Sequence, residues 1–145
     1  MIGLIQRVKQ ATVSVDHNVI GEIEQGILLL LGVEKHDDET SVKKLAKKVA
    51  SLRIFEDENA KMNLSLLDIK GELLVVSQFT LVADTAKGNR PGFSNSAPPV
   101  LSENLYKHFI EHFSETYTPC KSGSFGANMA VELVNDGPAT FYLKV

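Results

Sequence analysis

The C-terminal stretch Met129-Ala130-Val131-Glu132-Leu133-Val134-Asn135-Asp136-Gly137-Pro138-Ala139-Thr140-Phe141-Tyr142-Leu143-Lys144-Val145 alternates apolar and polar residues on both sides of a Gly-Pro pair. A period of two places Met129, Val131 and Leu133 on one face of a strand, and Phe141, Leu143 and Val145 on one face of another. Asn135, Asp136, Gly137 and Pro138 between them are turn formers. The stretch therefore predicts two strands joined by a tight turn at Gly137-Pro138. A turn of this kind fixes a piece of backbone and presents no reactive side chain.

Strands are predicted at the other end of the chain as well. Leu4 to Val8 reads as a short strand; Thr12 to Val15 alternates, Asp16-His17-Asn18 supplies a turn, and Val19 to Ile23 resumes, which predicts a hairpin. Ile27 to Val33 is an apolar run typical of a strand buried on both faces. Two helices are predicted between the terminal strands. After Asp37-Asp38, apolar Val42, Leu45, Ala46, Val49 and Leu52 recur at intervals of three and four, and Lys43, Lys44, Lys47 and Lys48 lie largely off that stripe. After Pro98-Pro99, Leu101, Leu105, Phe109 and Phe113 are spaced by four. Arg53-Ile54-Phe55 reads as a short strand, and Leu73 to Val76 as another that runs into Ser77-Gln78-Phe79-Thr80. From Ala83 to Pro99 periodicity vanishes, and a long connection carrying Arg90 and Phe93 reads as functional. Together these elements predict an α/β chain of layered mixed sheets with two main helices.

Composition sets the bounds. The chain has 145 residues, 43% hydrophobic and 23% charged, which suits one domain over 1–145 with a single sizeable core. A net charge of −3 argues against a protein that coats nucleic acid, but not against one that grips a single RNA end. Local basic groups exist in the Lys43 to Lys48 segment, where a solvated helix face is the default reading, and at Lys87 with Arg90. No signal-peptide pattern opens the chain, no apolar run is long enough to span a membrane, and the one cysteine, Cys120, cannot form an internal disulfide. The expected setting is cytoplasmic, with no membrane partner.

Side-chain chemistry is sparse. Ser77 and Thr80 are hydroxyl candidates, but none of His17, His36, His108 and His112 sits in a motif that would supply a base, and no Gly-x-Ser-x-Gly elbow occurs. His108-Phe109-Ile110-Glu111-His112 has the His-x-x-Glu-His spacing of some zinc peptidases, although the apolar line of its helix places the histidines at the margin. Cys120 has no CxxC partner and reads as an unreactive thiol that Lys121 could lower slightly in pKa. No phosphate-binding loop or dinucleotide fingerprint appears, and no cofactor or metal is expected. What remains is backbone: a strand ending at Ser77-Gln78-Phe79-Thr80, whose amides could face an oxyanion, and the Gly137-Pro138 element.

These motifs carry a family resemblance. Ser77-Gln78-Phe79-Thr80-Leu81, Gly88-Asn89-Arg90-Pro91, Lys61-Met62-Asn63 with Ser65, Phe125-Gly126-Ala127 with Met129, and Asn135-Asp136-Gly137-Pro138 resemble D-aminoacyl-tRNA deacylase, as do Leu4 to Val8 and Leu31 to Lys35. The resemblance runs in order over essentially the whole chain. It implies hydrolysis of the ester joining a D-amino acid to the 3′-terminal adenosine of tRNA. It also implies a homodimer in which a cis Gly137-Pro138 of one subunit enters the other's site as the chirality-selecting element, steadied by Arg7. Ser77, Gln78, Phe79 and Thr80 would line the receiving pocket with the Phe79 amide as oxyanion donor, and Phe125 and Met129 would face the adenosine. A ribose 2′-OH would assist the attacking water, L-aminoacyl-tRNA would be rejected sterically, and glycyl-tRNA would pass the filter.

Two positions depart from the family pattern. Ala139 stands where valine usually follows the Gly-Pro pair, which puts the filter's rigidity in question, and Gly92 stands where serine commonly follows Arg-Pro, which loosens a loop near the tRNA. A zinc peptidase and a non-catalytic RNA-end binding module stand as the other readings.

Overall fold

The computed structural model describes all residues, 1–145. Eight strands are present: β1 (Ile2–Val15), β2 (Asn18–Ile23), β3 (Gly26–Gly32), β4 (Phe55–Glu56), β5 (Met62–Leu64), β6 (Glu72–Ser77), β7 (Lys121–Ser122) and β8 (Ala130–Lys144). Two α-helices, α1 (Glu39–Ser51) and α2 (Pro99–Thr116), and a 3-10 turn at Phe79–Val82 complete the fold.

β1 is the spine. It pairs antiparallel with β3 through its first half and with β2 through its second, while β8 runs antiparallel along its other side. The two separate runs expected at Leu4 to Val8 and Thr12 to Val15 are thus one continuous strand. Asp16 and His17 take the expected hairpin turn, both with left-handed φ (48° and 65°). β3, β6 and β7 continue the sheet in parallel. Gly26 permits the closest approach: a Cβ there would lie 1.9 Å from the Glu72 carbonyl oxygen, so any other residue would push β6 away from β3.

The unbroken apolar runs of β3 and β6 have a physical cause: both faces of each strand are covered. Ile27, Leu29, Leu31, Leu73 and Val75 pack with the helices, whereas Leu28, Leu74 and Val76 pack with Val8, Ala11, Val13 and Ile23 of the β1–β2 arm. β2 touches β6 and β7 without pairing with either, so the arm folds back over the sheet. The result is a helix layer, a central sheet layer and a second β layer, as expected. Its surface has no helix long and apolar enough to cross a membrane.

Helix α1 starts where its cap dictates. The Asp38 carboxylate accepts from the Ser41 amide at 3.0 Å, and that bond holds the carboxyl below its ordinary range. Val42, Leu45, Ala46, Val49 and Ala50 are its buried face. Proline leads α2, where a missing N–H costs nothing, and Leu105, Tyr106, Phe109 and Phe113 are buried. Arg53 and Ile54 are not in a strand; only Phe55–Glu56 pairs, with the short β5 that periodicity did not signal.

Tyr106 joins α2 to the sheet. Its hydroxyl donates toward the carbonyls of Val75 (2.9 Å) and Gly123 (3.1 Å), and burial pushes its pKa up to about 12 from 10. The folded phenol keeps a proton that the unfolded chain loses above pH 10, so stability present below that value falls as pH rises toward 12. Tyr106→Phe is expected to cost about 1 kcal/mol at neutral pH and to lessen that alkaline loss. Denaturant titrations at pH 8 and pH 11 check both, and an unchanged alkaline slope would show that another group is responsible.

The largest correction concerns the C-terminus. The two alternating runs are not a hairpin: both belong to β8 and pair with the same strand, β1. Gln6 lies opposite Thr140 and Val8 opposite Asn135, so the four residues Asp136 to Ala139 face Arg7 alone. Gly137-Pro138 is therefore the tip of a wide bulge, which the local turn signal could not distinguish from a chain reversal.

Candidate functional site: a cleft and a clamped Gly-Pro bulge

The bulge is held from beneath and from within. Arg7 is only 4% exposed. Its Nε donates to the Asp136 carbonyl at 2.8 Å and its Nη1 to the Ile54 carbonyl at 2.7 Å, while the Asp136 carboxylate lies 3.6 Å from Nε. A buried guanidinium is tolerated because carbonyls and a carboxylate surround it. Within the bulge, Asn135 takes over the missing ladder bonds: its Oδ1 accepts from the Ala139 amide (2.7 Å), and its Nδ2 donates to the Ala139 carbonyl (3.3 Å) and to Thr140 Oγ1 (3.1 Å). Asn135 stands in the Asn-Asp-Gly-Pro motif, but that motif alone does not show its clamping role; the tendency of Asn to bond nearby backbone is the signal that points to it.

Above this support, Gly137 and Pro138 are exposed and their peptide bond is cis. Gly137 has φ +140°, and a Cβ there would lie 2.9 Å from the Ala139 nitrogen and 3.1 Å from Arg7 Nη2. Gly137→Ala is accordingly expected to lower stability by about 1–3 kcal/mol, read by urea unfolding. An unaltered midpoint would mean that the bulge relaxes freely. Ala139 is buried and its amide is fixed by Asn135, so the lost bulk of a valine leaves the backbone anchored.

A second locus lies at the C-terminal ends of β3 and β6. There a cleft of about 530 Å³ is lined by Ser77, Gln78 and Phe79 on one side and by Phe125 and Met129 on another, with Val33, Ser96 and Ala97 between them. Five of the expected site residues thus meet in one cavity. Tertiary structure brings 77–79 and 125–129 together although more than forty positions separate them in sequence.

The expected strand end at 77–80 is a strand followed by a 3-10 turn. Ser77 closes β6, the Gln78 amide bonds the Leu31 carbonyl at 2.8 Å, and Phe79 opens the turn. The first amides of such a turn have no intrahelical acceptor, and no side chain caps them. Phe79 is 62% exposed with its ring 5.2 Å from that of Phe93, so the long connection does reach the site. Thr80 is exposed, does not line the cleft, and accepts a hydrogen bond from Gln78 Nε2 at 2.5 Å. No imidazole bonds it.

One buried side-chain atom of the protein has no hydrogen-bond partner, Ser96 Oγ, and it belongs to the cleft wall. Its hydroxyl makes no bond within the protein and can bond a water or a polar group in the cleft. Nothing in the sequence marked Ser96. Gly92 closes the loop before it through two bonds with Asp84, each 2.8 Å, which pins the segment the sequence suggested was loosened.

The remaining candidates stay apart from both loci. His108 and His112 stack 6.2 Å apart on α2, and no group of three His, Cys, Asp or Glu side chains is placed to hold a metal ion. Cys120 is half-buried beside Ser114 Oγ (3.3 Å); burial pushes its thiol up, not down as Lys121 suggested.

Comparison with known proteins agrees with the motifs. The family described as D-Tyr-tRNA(Tyr) deacylase matches residues 4–144. D-aminoacyl-tRNA deacylase of Pseudoalteromonas atlantica is 60% identical over 145 residues, the whole of both chains. The Shewanella amazonensis protein of the same name is 54% identical over the same span. Among solved structures, a c-Myc DNA Unwinding Element Binding Protein superposes with TM-score 0.96 at 40% identity, covering 100% of this chain and 99% of that one. A probable eukaryotic D-amino acid tRNA deacylase gives TM-score 0.82 at 14% identity over 98% of each, a likeness of fold alone. A resemblance first carried by short motifs thus extends over the full length in sequence and in structure, and the chain belongs to the D-Tyr-tRNA(Tyr) deacylase family as an enzyme of the D-aminoacyl-tRNA deacylase type.

Proposed function

We propose that the cleft receives the 3′-terminal adenosine of an aminoacyl-tRNA and that the protein, working in the cytoplasm as a homodimer, hydrolyses the ester of D-aminoacyl-tRNA and of glycyl-tRNA. The observation that carries this reading is the meeting of Ser77, Gln78, Phe79, Phe125 and Met129 in one cleft, while Gly137-Pro138 stands exposed on a separately clamped bulge. A bulge outside its own cleft, held by two side chains, suits insertion into a partner's.

The chemistry needs little from side chains. An aminoacyl ester is already activated, so orientation and a hole for developing charge supply most of what is required. Water adds to the ester carbonyl carbon, and the Phe79 amide, free at the start of its turn, faces the oxyanion. The bond to the ribose 3′ oxygen then breaks, that oxygen takes a proton, and the amino acid leaves as the free acid. The neighbouring ribose 2′-OH positions the water, a task for which no protein base is at hand. Phe125 and Met129 supply apolar surface for the adenosine. Handedness is judged by the carbonyls of Gly137 and Pro138, which fill the space an L side chain needs; glycine has none and passes.

Release of D-tyrosine from D-tyrosyl-tRNA, run with and without a chelator, tests the reading. Equal release in both arms is expected, and none in either would sink it. A tRNA ending in 2′-deoxyadenosine should turn over poorly; rapid turnover would remove the hydroxyl from the mechanism. Thr80→Ala should lose one exposed hydrogen bond, about 1 kcal/mol or roughly fivefold in rate. Abolished activity in a folded Thr80→Ala protein would instead make Thr80 the nucleophile.

A further inference from the structure

We infer that the outward face of α1, continued by Lys35 and by the loop carrying Lys87 and Arg90, docks the phosphate backbone of duplex RNA. The partner is the acceptor arm of the tRNA whose end enters the cleft, so the inference rests on the function proposed above.

The face is built by helical period. Val42, Leu45, Ala46, Val49 and Ala50 are buried on one side of α1. At about 100° per residue, Lys43, Lys44, Lys47 and Lys48 spread over the opposite side, joined only by Thr40 and Ser51. All four lysines are exposed, and none makes an ion pair. Lys9, Lys107 and Lys144, by contrast, each meet a carboxylate. Within the helix the one acid is Glu39, in the first turn, and it follows Asp38, which is engaged as the cap. In a chain of net charge −3 this concentration of one sign is local.

Its position relative to the cleft follows from the chain. Val33 lines the cleft and leads through Lys35 into α1. The Lys35 amide bonds the Asn95 carbonyl at 3.0 Å, and Glu34 bridges Ser96, which ties this entry to the end of the long loop. That loop carries exposed, unpaired Lys87 and Arg90 before it supplies Ser96 and Ala97 to the cleft wall. Lys35 thus follows one wall residue, Val33, and Lys87 with Arg90 precede another, Ser96, along the chain. The outward side of α2 differs in character: Glu103 is paired with Lys107 at 2.7 Å, and Glu111 and Glu115 follow. An RNA whose end sits in the cleft is drawn across α1 and repelled from α2. A helix of 13 residues offers about 20 Å of this surface, enough to meet several successive phosphates.

The test compares a substrate that has a stem with one that has none. In the unsubstituted protein, kcat/KM for D-tyrosyl-tRNA should fall steeply with salt, whereas that for 3′-O-D-tyrosyl-adenosine should barely change. Replacing Lys43, Lys44, Lys47 and Lys48 together by glutamine keeps helix propensity. This variant should raise KM for the tRNA at least tenfold and flatten the log–log salt slope by about 3, at roughly 0.7–0.9 per lost phosphate contact. Its turnover of the adenosine ester should not change. Unchanged tRNA kinetics in the variant, or equal salt slopes for the two substrates in the unsubstituted protein, overturns the assignment; the second comparison needs no variant to fold. If neither substrate is turned over, the reading of the cleft fails on its own. Binding of uncharged tRNA to the two proteins then decides the docking surface, with equal affinity counting against it.

Discussion

D-tyrosyl-tRNA is expected to be deacylated at least several hundredfold faster than L-tyrosyl-tRNA. The proposed filter is made of main-chain atoms, and its selectivity depends on how little they move. A carbonyl that could shift by an ångström would admit the L side chain at small cost; one that cannot would impose a clash of a few kcal/mol, and each 1.4 kcal/mol is tenfold in rate. Here the Asp136 carbonyl is tied to Arg7, and the Ala139 amide and carbonyl are tied to Asn135, so both ends of Gly137-Pro138 are fixed. Initial rates on the two enantiomers, with glycyl-tRNA as a third substrate, measure the ratio. Equal D and L rates would defeat steric exclusion, and glycyl-tRNA turned over no faster than the L substrate would defeat the account of what is excluded.

Replacing Arg7 by alanine should have the largest effect of any single change at the bulge. It would leave the Asp136 and Ile54 carbonyls without their charged donor and open a void beneath the β8 bulge. Breaking a buried ionic group away from its partners typically costs about 3–5 kcal/mol. The same substitution frees the Asp136 end of the filter, so the D-to-L ratio should drop toward unity while Ser77, Gln78 and Phe79 remain in place. Arg7→Lys, which keeps the charge without the planar fork, should fold more stably and show an intermediate ratio. Urea unfolding gives the first quantity, and paired deacylation rates give the second. A destabilised Arg7→Ala protein with undiminished selectivity would reduce Arg7 to a structural role.

How much of this was legible depends on the range of the interactions. Each helix was read from its apolar stripe, because burial against one neighbour imposes a period that local sequence records. The β2 hairpin was read from Asp16 to Asn18, since turn conformations are set by the residues in them. β5 and β7 were not read: they are too short for a period to show, and they pair only because other elements bring their partners close. The two runs flanking Gly137-Pro138 were read correctly as extended, but as two strands joined by a tight turn, whereas they are one strand on either side of a bulge. A bulge and a reversal use the same residues, and the distinction rests on β1, more than a hundred positions away. Arg7 and Gly137-Pro138 were already linked by family resemblance, whereas the role of Asn135 and the unmet hydroxyl of Ser96 came only from coordinates.

The amino-acid order alone determined the two α-helices, the longer strands and the short backbone-shaped motifs, because propensity, periodicity and turn chemistry act over a few residues. Tertiary structure alone decided that Ser77 to Phe79 share a cavity with Phe125 and Met129, and that Gly137-Pro138 is held out from a strand edge on a guanidinium and an amide. The first arises because Phe125 and Met129 pack back against the two cores that β3 and β6 share, and the second because β8 pairs with β1 on both sides of Arg7. Burial is indifferent to sequence separation, so no local pattern could announce them.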